Sequence, residues 1–223
     1  MPIVYNPLMG RIKSSNDQLS NPKQVTIDGT TYIAPDENFI GKLTFSLSQQ
    51  IRNSKKIYDR LIYLPRGGLA FARQVLDCTG ILKFSDTTVT SYSGIRKKGK
   101  VKIIKPLTDS IKGESILVLD DIADSGDTLV ESKKYLLSLG ATNVDIGVIY
   151  TKLRSLKLSV KPDYFAAKIP DNAWVVFPGE RAEFIKNAFE KWSKDDISYK
   201  ECKSRLSKIG LPSWYIDTYL KTF

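Results

Sequence analysis

The densest set of reactive side chains is Asp120-Asp121-Ile122-Ala123-Asp124-Ser125-Gly126-Asp127-Thr128, directly after the apolar run Ile116-Leu117-Val118-Leu119. Asp120 and Asp121 have no obvious cationic partner in the local sequence. Two such carboxylates suit ribose hydroxyls or a hydrated magnesium ion. Ala123 to Thr128 then offers successive backbone N–H groups, two hydroxyls and a glycine. If a helix opens near Thr128, that run is a phosphate cradle. It is not the P-loop of nucleotide triphosphatases, because Gly-x-x-x-x-Gly-Lys-[Ser/Thr] occurs nowhere in the chain. A diol site joined to a monophosphate site matches ribose 5-phosphate.

A second set follows the apolar Leu61-Ile62-Tyr63-Leu64. In Pro65-Arg66-Gly67-Gly68 the glycines let backbone amides approach an anion while Arg66 neutralises it. A third is a run of cations, Arg96, Lys97, Lys98, Lys100, Lys102 and Lys105, with no acid between Gly94 and Pro106. It is either a solvated basic hairpin or a charged lid that closes over an anion and excludes water. The chain has no histidine. Imidazole triads and histidine metal sites are therefore excluded, and carboxylates, lysines, hydroxyls and backbone dipoles are left to do any chemistry. A net charge of +10 points to anionic partners.

The order Asp-Asp-x-x-Asp-Ser-Gly-x-Thr after an apolar strand resembles the phosphoribosyl-pyrophosphate motif of the type I phosphoribosyltransferases. Arg66-Gly67-Gly68 resembles their pyrophosphate loop, and Ser91-Tyr92 the start of the mobile catalytic loop in the purine enzymes. Lys152, Pro162-Asp163-Tyr164, Ile169-Pro170 and Trp174-Val175 before Pro178 resemble the base-binding half of bacterial and archaeal xanthine-guanine or hypoxanthine-guanine enzymes. The resemblance covers roughly residues 55 to 180. It implies that Lys152 donates to the O6 of a 6-oxopurine, that Trp174 stacks on the ring and that the Val175 backbone meets the base edge. Where the family continues Pro-Trp-Asp or Pro-Trp-Glu, this chain has Pro178-Gly179-Glu180; Glu180 keeps the acidic position and is a third candidate to hold metal or pyrophosphate.

The elements that must position these residues follow from periodicity. The first 30 residues are polar and broken by prolines and glycines, so neither a signal peptide nor a membrane span is expected. Asp28-Gly29 predicts a hairpin between Gln24–Ile27 and Thr31–Ile33. Asp36 caps a predicted helix from about Glu37 to Asn53. Buried strands are predicted at 61–64, 116–119 and 144–150, with a further strand at 87–92 and short ones at 164–166 and 174–177 finishing the sheet. Helices are predicted from Gly68 through Leu76 and from Thr128 to Leu139, and three more near 181–193, 197–208 and 212–222. The fold class is α/β: a type I phosphoribosyltransferase fold, a parallel sheet flanked by helices, with a small C-terminal helical bundle. Residues 1–180 are expected to form one domain that includes the hairpin, and residues 181–223 an appendage. Cys78 and Cys202 lack metal-like spacing and fit a reducing compartment, so a cytoplasmic location is expected.

The resulting expectation is a purine phosphoribosyltransferase of salvage. Its substrates are phosphoribosyl pyrophosphate and a purine base, with 6-oxopurines favoured, and its products are pyrophosphate and a nucleoside monophosphate. Magnesium is the expected cofactor, and a homodimer without membrane or specific nucleic-acid partner the expected state. Arg66 and the basic lid stabilise the leaving pyrophosphate, Asp120 and Asp121 hold the ribose, and Asp124 handles the N7 proton. An adenine enzyme on the same fold is one alternative. The other is a nucleotide-sensing regulator that binds nucleic acid through a tail whose Gly210 lies between short helices.

Overall fold

The computed structural model describes residues 4–5, 22–91 and 101–221. In chain order the strands are β1 (Val4–Tyr5), β2 (Gln24–Ile27), β3 (Thr30–Ile33), β4 (Arg60–Tyr63), β5 (Lys83–Asp86), β6 (Thr88–Ser91), β7 (Val101–Lys105), β8 (Ser115–Ala123), β9 (Asn143–Lys152), β10 (Tyr164–Ile169) and β11 (Ala173–Val175). The helices are α1 (Glu37–Asn53), α2 (Leu69–Thr79), α3 (Asp127–Ser138), α4 (Arg181–Lys194), α5 (Tyr199–Ile209) and α6 (Ser213–Leu220). Among the described residues no helix is long and apolar enough to cross a membrane.

The chain divides into two compact units. The first holds residues 42–171 and β1. Its sheet runs β1-β10-β9-β8-β4-β5, parallel throughout except for the antiparallel edge strand β1. Strands β4, β8 and β9 are nearly continuous runs of buried apolar residues, as expected of strands covered on both faces. One face, with Ile62, Val118 and Ile146, packs with Leu129 and Leu136 of α3. On the other, Gly147 sits where an added Cβ would lie 3.8 Å from Leu47 of α1. Edge strand β5 was not expected, because its Lys83-Phe84 end is exposed and shows no apolar run. The basic segment ends in β7, which pairs antiparallel with β6, and Lys105 finds Asp86 at 2.7 Å. Ser91 is the last residue of β6. Tyr92 and the remainder of the expected lid through Lys100 lie outside the described residues.

The second unit holds residues 22–41 and 172–221. This corrects the expected boundary at 180 and 181, since the N-terminal hairpin belongs with the helical tail. The hairpin turns at Asp28 (φ 48°) and Gly29 (φ 77°), and β3 then pairs in parallel with β11, giving a sheet β11-β3-β2. Strand β11 therefore does not finish the main sheet. Tyr32 packs with Ile185, Trp192, Leu206 and Ile216 of the helices in one core, and Arg205 pairs with Asp28 at 2.6 Å. Ser198 caps α5 by accepting the Glu201 N–H at 3.3 Å, and Gly210 ends the same helix at φ 105°.

Trp192 is only 2% exposed at the centre of that core, with the Arg205 guanidinium 5.4 Å from its ring centroid. Trp192→Ala is expected to destabilise the protein by about 3–5 kcal/mol, read from denaturant unfolding followed by tyrosine fluorescence.

Candidate active site

Taken in chain order, the parallel strands β4, β5, β8, β9 and β10 lie in the sheet as second, first, third, fourth, fifth. The chain leaves β4 toward one edge through α2 and leaves β8 toward the other through α3. Between β4 and β8 the direction reverses, and at such a switch point the diverging loops leave a crevice beyond the carboxyl ends of the strands. Both reactive sets lie there. Arg66, Gly67 and Gly68 follow β4, while Asp120 and Asp121 lie in the last part of β8 and Asp124 follows it.

The two loops meet closely enough to require glycine. The Leu64 N–H donates to the Leu119 carbonyl at 2.9 Å and the Gly68 N–H to the Leu64 carbonyl at 2.8 Å, so the chain turns tightly against β8. A Cβ on Gly68 would run into the Leu119 carbonyl oxygen. One on Gly67 would lie 2.5 Å from the Asp121 carboxyl carbon. The peptide between Pro65 and Arg66 is cis. Burial pushes the Asp120 carboxyl well above the usual carboxylate range, and the like charge of Asp121 adds to this. Burial raises Asp121 too, against hydrogen bonds from backbone N–H groups and from Asp120. A half-buried pair of carboxylates whose charges oppose one another is relieved by a cation or by hydroxyl donors.

Beyond β8, Gly126 (φ 80°) makes the left-handed turn into α3, and the Ser125 hydroxyl donates to Asp127 at 3.0 Å. Ala123 is buried, Thr128 half-buried, and Ser125 and Asp127 exposed at the amino end of the helix. Its first-turn N–H groups and dipole are those of an anion cradle.

The register of β8 on β9 pairs Ala123 with Thr151, so Asp124 and Lys152 leave the sheet as neighbours. Lys152 is the last residue of β9 rather than a residue beyond it. Its side chain is 8% exposed and its Nζ lies 3.0 Å from Asp124 Oδ2. The other oxygen, Oδ1, accepts from Arg154. That bond, the largest influence on Arg154, raises its pKa further. Arg154 was missed in the sequence: one cation in Lys152-Leu153-Arg154 looks like any other until register shows which acid it meets. Trp174, 58% exposed, and buried Val175 lie on β11 in the second unit. Glu180, in the short 3-10 turn Pro178–Glu180, belongs to that unit as well. Among the described residues no three or more Asp, Glu, Cys or His side chains gather to hold a metal. Two carboxylates still fit magnesium, which keeps waters and takes further oxygens from a phosphorylated substrate.

The model of the phosphoribosyl transferase domain matches residues 36–182, well over half of the chain. This chain belongs to the phosphoribosyltransferase family. It is 34% identical over 126 residues to the hypoxanthine-guanine phosphoribosyltransferase of Lactococcus lactis, covering 55% of this chain and 67% of that one. Identity to the hypoxanthine-guanine phosphoribosyltransferase of Streptococcus pyogenes is 26% over 170 residues, 68% of this chain and 91% of that one. Among solved structures, the purine phosphoribosyltransferase of Pyrococcus horikoshii superposes with a TM-score of 0.58 at 27% identity. That match covers 66% of this chain and 93% of the other. The expected fold, a parallel sheet flanked by helices with a helical C-terminal part, is the fold observed.

The turn at Gly126 is open to a direct test of its backbone geometry. A Cβ there would collide with Leu158, and φ 80° strains any L side chain. Gly126→Ala is expected to cost about 1–3 kcal/mol. In the double variant with Leu158→Ala the collision is removed and the backbone penalty persists, so thermal unfolding of the four proteins separates the two parts.

Proposed function

We propose that this phosphoribosyltransferase moves the 5-phosphoribosyl group of phosphoribosyl pyrophosphate to a 6-oxopurine, giving the nucleoside monophosphate and pyrophosphate. The Asp124–Lys152 pair carries the choice of base. A purine N7–H donor beside an O6 acceptor is the complement of a carboxylate beside an ammonium. The names of the Lactococcus and Streptococcus relatives support the same base class.

The roles follow from charge. As the C1–O bond breaks, the electron pair leaves with pyrophosphate and positive charge builds on the ribose. Arg66 and the amide of Gly67 receive the pyrophosphate charge. Asp120 and Asp121 hold the ribose hydroxyls and favour the developing cation. Magnesium, when bound, would be held by Asp120 and Asp121 and would supply further neutralising charge to pyrophosphate. The loop from Ala123 to Thr128 takes the 5-phosphate at the amino end of α3. N9 of the base attacks C1, and Asp124 accepts the N7 proton that the new bond makes acidic. Trp174 is assigned to ring stacking and the Val175 backbone to the base edge. Ser91 and Tyr92 are assigned to the closing loop.

Replacing both Asp120 and Asp121 with Asn is expected to leave a folded protein by thermal unfolding and to lower kcat/KM at least about a hundredfold. Full activity in that variant would remove the ribose assignment. Turnover of hypoxanthine, guanine, xanthine and adenine on the parent and on Lys152→Ala tests the base. Adenine would set its exocyclic donor against the Lys152 ammonium. An unmatched buried donor costs about 1–3 kcal/mol, roughly 5- to 160-fold in rate. Adenine as the best substrate, with a ranking indifferent to Lys152→Ala, would reject the 6-oxopurine reading and keep the transferase.

A further inference from the structure

The segment after β9 crosses the phosphate loop at two points. Arg154, in the 3-10 turn Leu153–Lys157, reaches Asp124, and Leu158 lies against Gly126. The turn is itself held. The Arg154 N–H donates to Asp171 at 2.8 Å, and the buried Ser155 hydroxyl donates to the Lys152 carbonyl at 2.8 Å while lying 2.7 Å from the hydroxyl of Thr151. The guanidinium therefore hangs from a fixed backbone. Lys152 ends β9 and carries three rotatable donors on its ammonium.

The two cations occupy different oxygens of Asp124, Arg154 on Oδ1 and Lys152 on Oδ2. A 6-oxopurine edge can replace the Lys152 contact group for group: N7–H takes Oδ2, and O6 takes the ammonium released from it. Nothing on that edge replaces Arg154. We propose that Arg154 is a positioning residue for the transfer, holding Asp124 through Oδ1 while Oδ2 exchanges Lys152 for the base N7–H. The inference deepens the 6-oxopurine reading and rests on it. Without the guanidinium, Asp124 has no cation left once the base takes Lys152, and nothing fixes the plane of its carboxylate against N7. Among the described residues the charged groups paired with this carboxylate are Lys152 and Arg154, with Asp127 further along its own loop and Asp171 accepting from the Arg154 N–H.

Steady-state kinetics with hypoxanthine on the parent, Arg154→Ala, Arg154→Lys and Lys152→Ala test this. Arg154→Ala is expected to lose kcat on the order of tenfold to a hundredfold, the effect of a misplaced reacting group. KM for phosphoribosyl pyrophosphate is expected to change less than about twofold, because ribose and phosphate contacts are untouched. Arg154→Lys is expected to recover part of kcat, since it restores the charge but not the planar fork. Millimolar guanidinium is expected to stimulate Arg154→Ala beyond sodium chloride at matched ionic strength, and not Lys152→Ala. A kcat for Arg154→Ala within about twofold of the parent, or a loss carried by KM for phosphoribosyl pyrophosphate alone, overturns the proposal while the base reading stands. If the parent transfers to no 6-oxopurine, the base reading fails and the inference falls with it.

Discussion

The site depends on the register of β8 on β9, which puts Asp124 beside Lys152. Apolar side chains fix that register poorly by themselves, since both strands are buried runs of Ile, Leu and Val that would pack in more than one alignment. Polar groups are less forgiving. At the amino end of β9, Asp145 is buried and accepts from Tyr58 at 2.5 Å and Lys56 at 2.7 Å, with Tyr164 a further 2.8 Å from Tyr58. Burial alone would raise the Asp145 carboxyl, but the Lys56 and Tyr58 donors more than offset this and hold it below its usual value. A slip of one residue would strand that carboxylate without partners. The polar anchor at one end of β9 thus helps to fix the alignment that the charged pair uses at the other.

Close approach is the second constraint, and it is set against stability. Gly67 and Gly68 bring the loop after β4 into contact with β8, at the edge of the crevice where the direction of the chain reverses. Two carboxylates are then held half-buried with their pKa values raised, an arrangement that costs folding free energy and that a cation or hydroxyl donors relieve. Gly126 plays the matching part at the phosphate loop. It takes a left-handed conformation under Leu158, and so couples the anion cradle to the segment that carries Arg154.

The second unit shows how far chain order can mislead. The hairpin of residues 24–33 precedes the whole parallel sheet, yet its Tyr32 is buried with Trp192 and Ile216 in the helical tail. Local patterning found the hairpin and the three helices, because each is specified within a dozen residues. It could not assign them to one core, since β11 is an apolar triplet that fits either sheet and only its pairing with β3 decides.

What the sequence determined by itself is local chemistry. The apolar strand before Asp120, the glycines at 67, 68 and 126, and the order of carboxylates, hydroxyls and amides were legible because steric and charge requirements act between neighbours in the chain. Strand β5 was not, because an exposed edge strand needs no apolar run. The partners of Asp124 were not either. Lys152 and Arg154 lie 28 and 30 residues away in sequence, and a cation's choice of acid depends on which strand ends are neighbours. Tertiary structure decided that. Hydrogen-bonded register between parallel strands is a long-range property, and it turned a candidate proton acceptor and a candidate base donor into one ion pair anchored by Arg154.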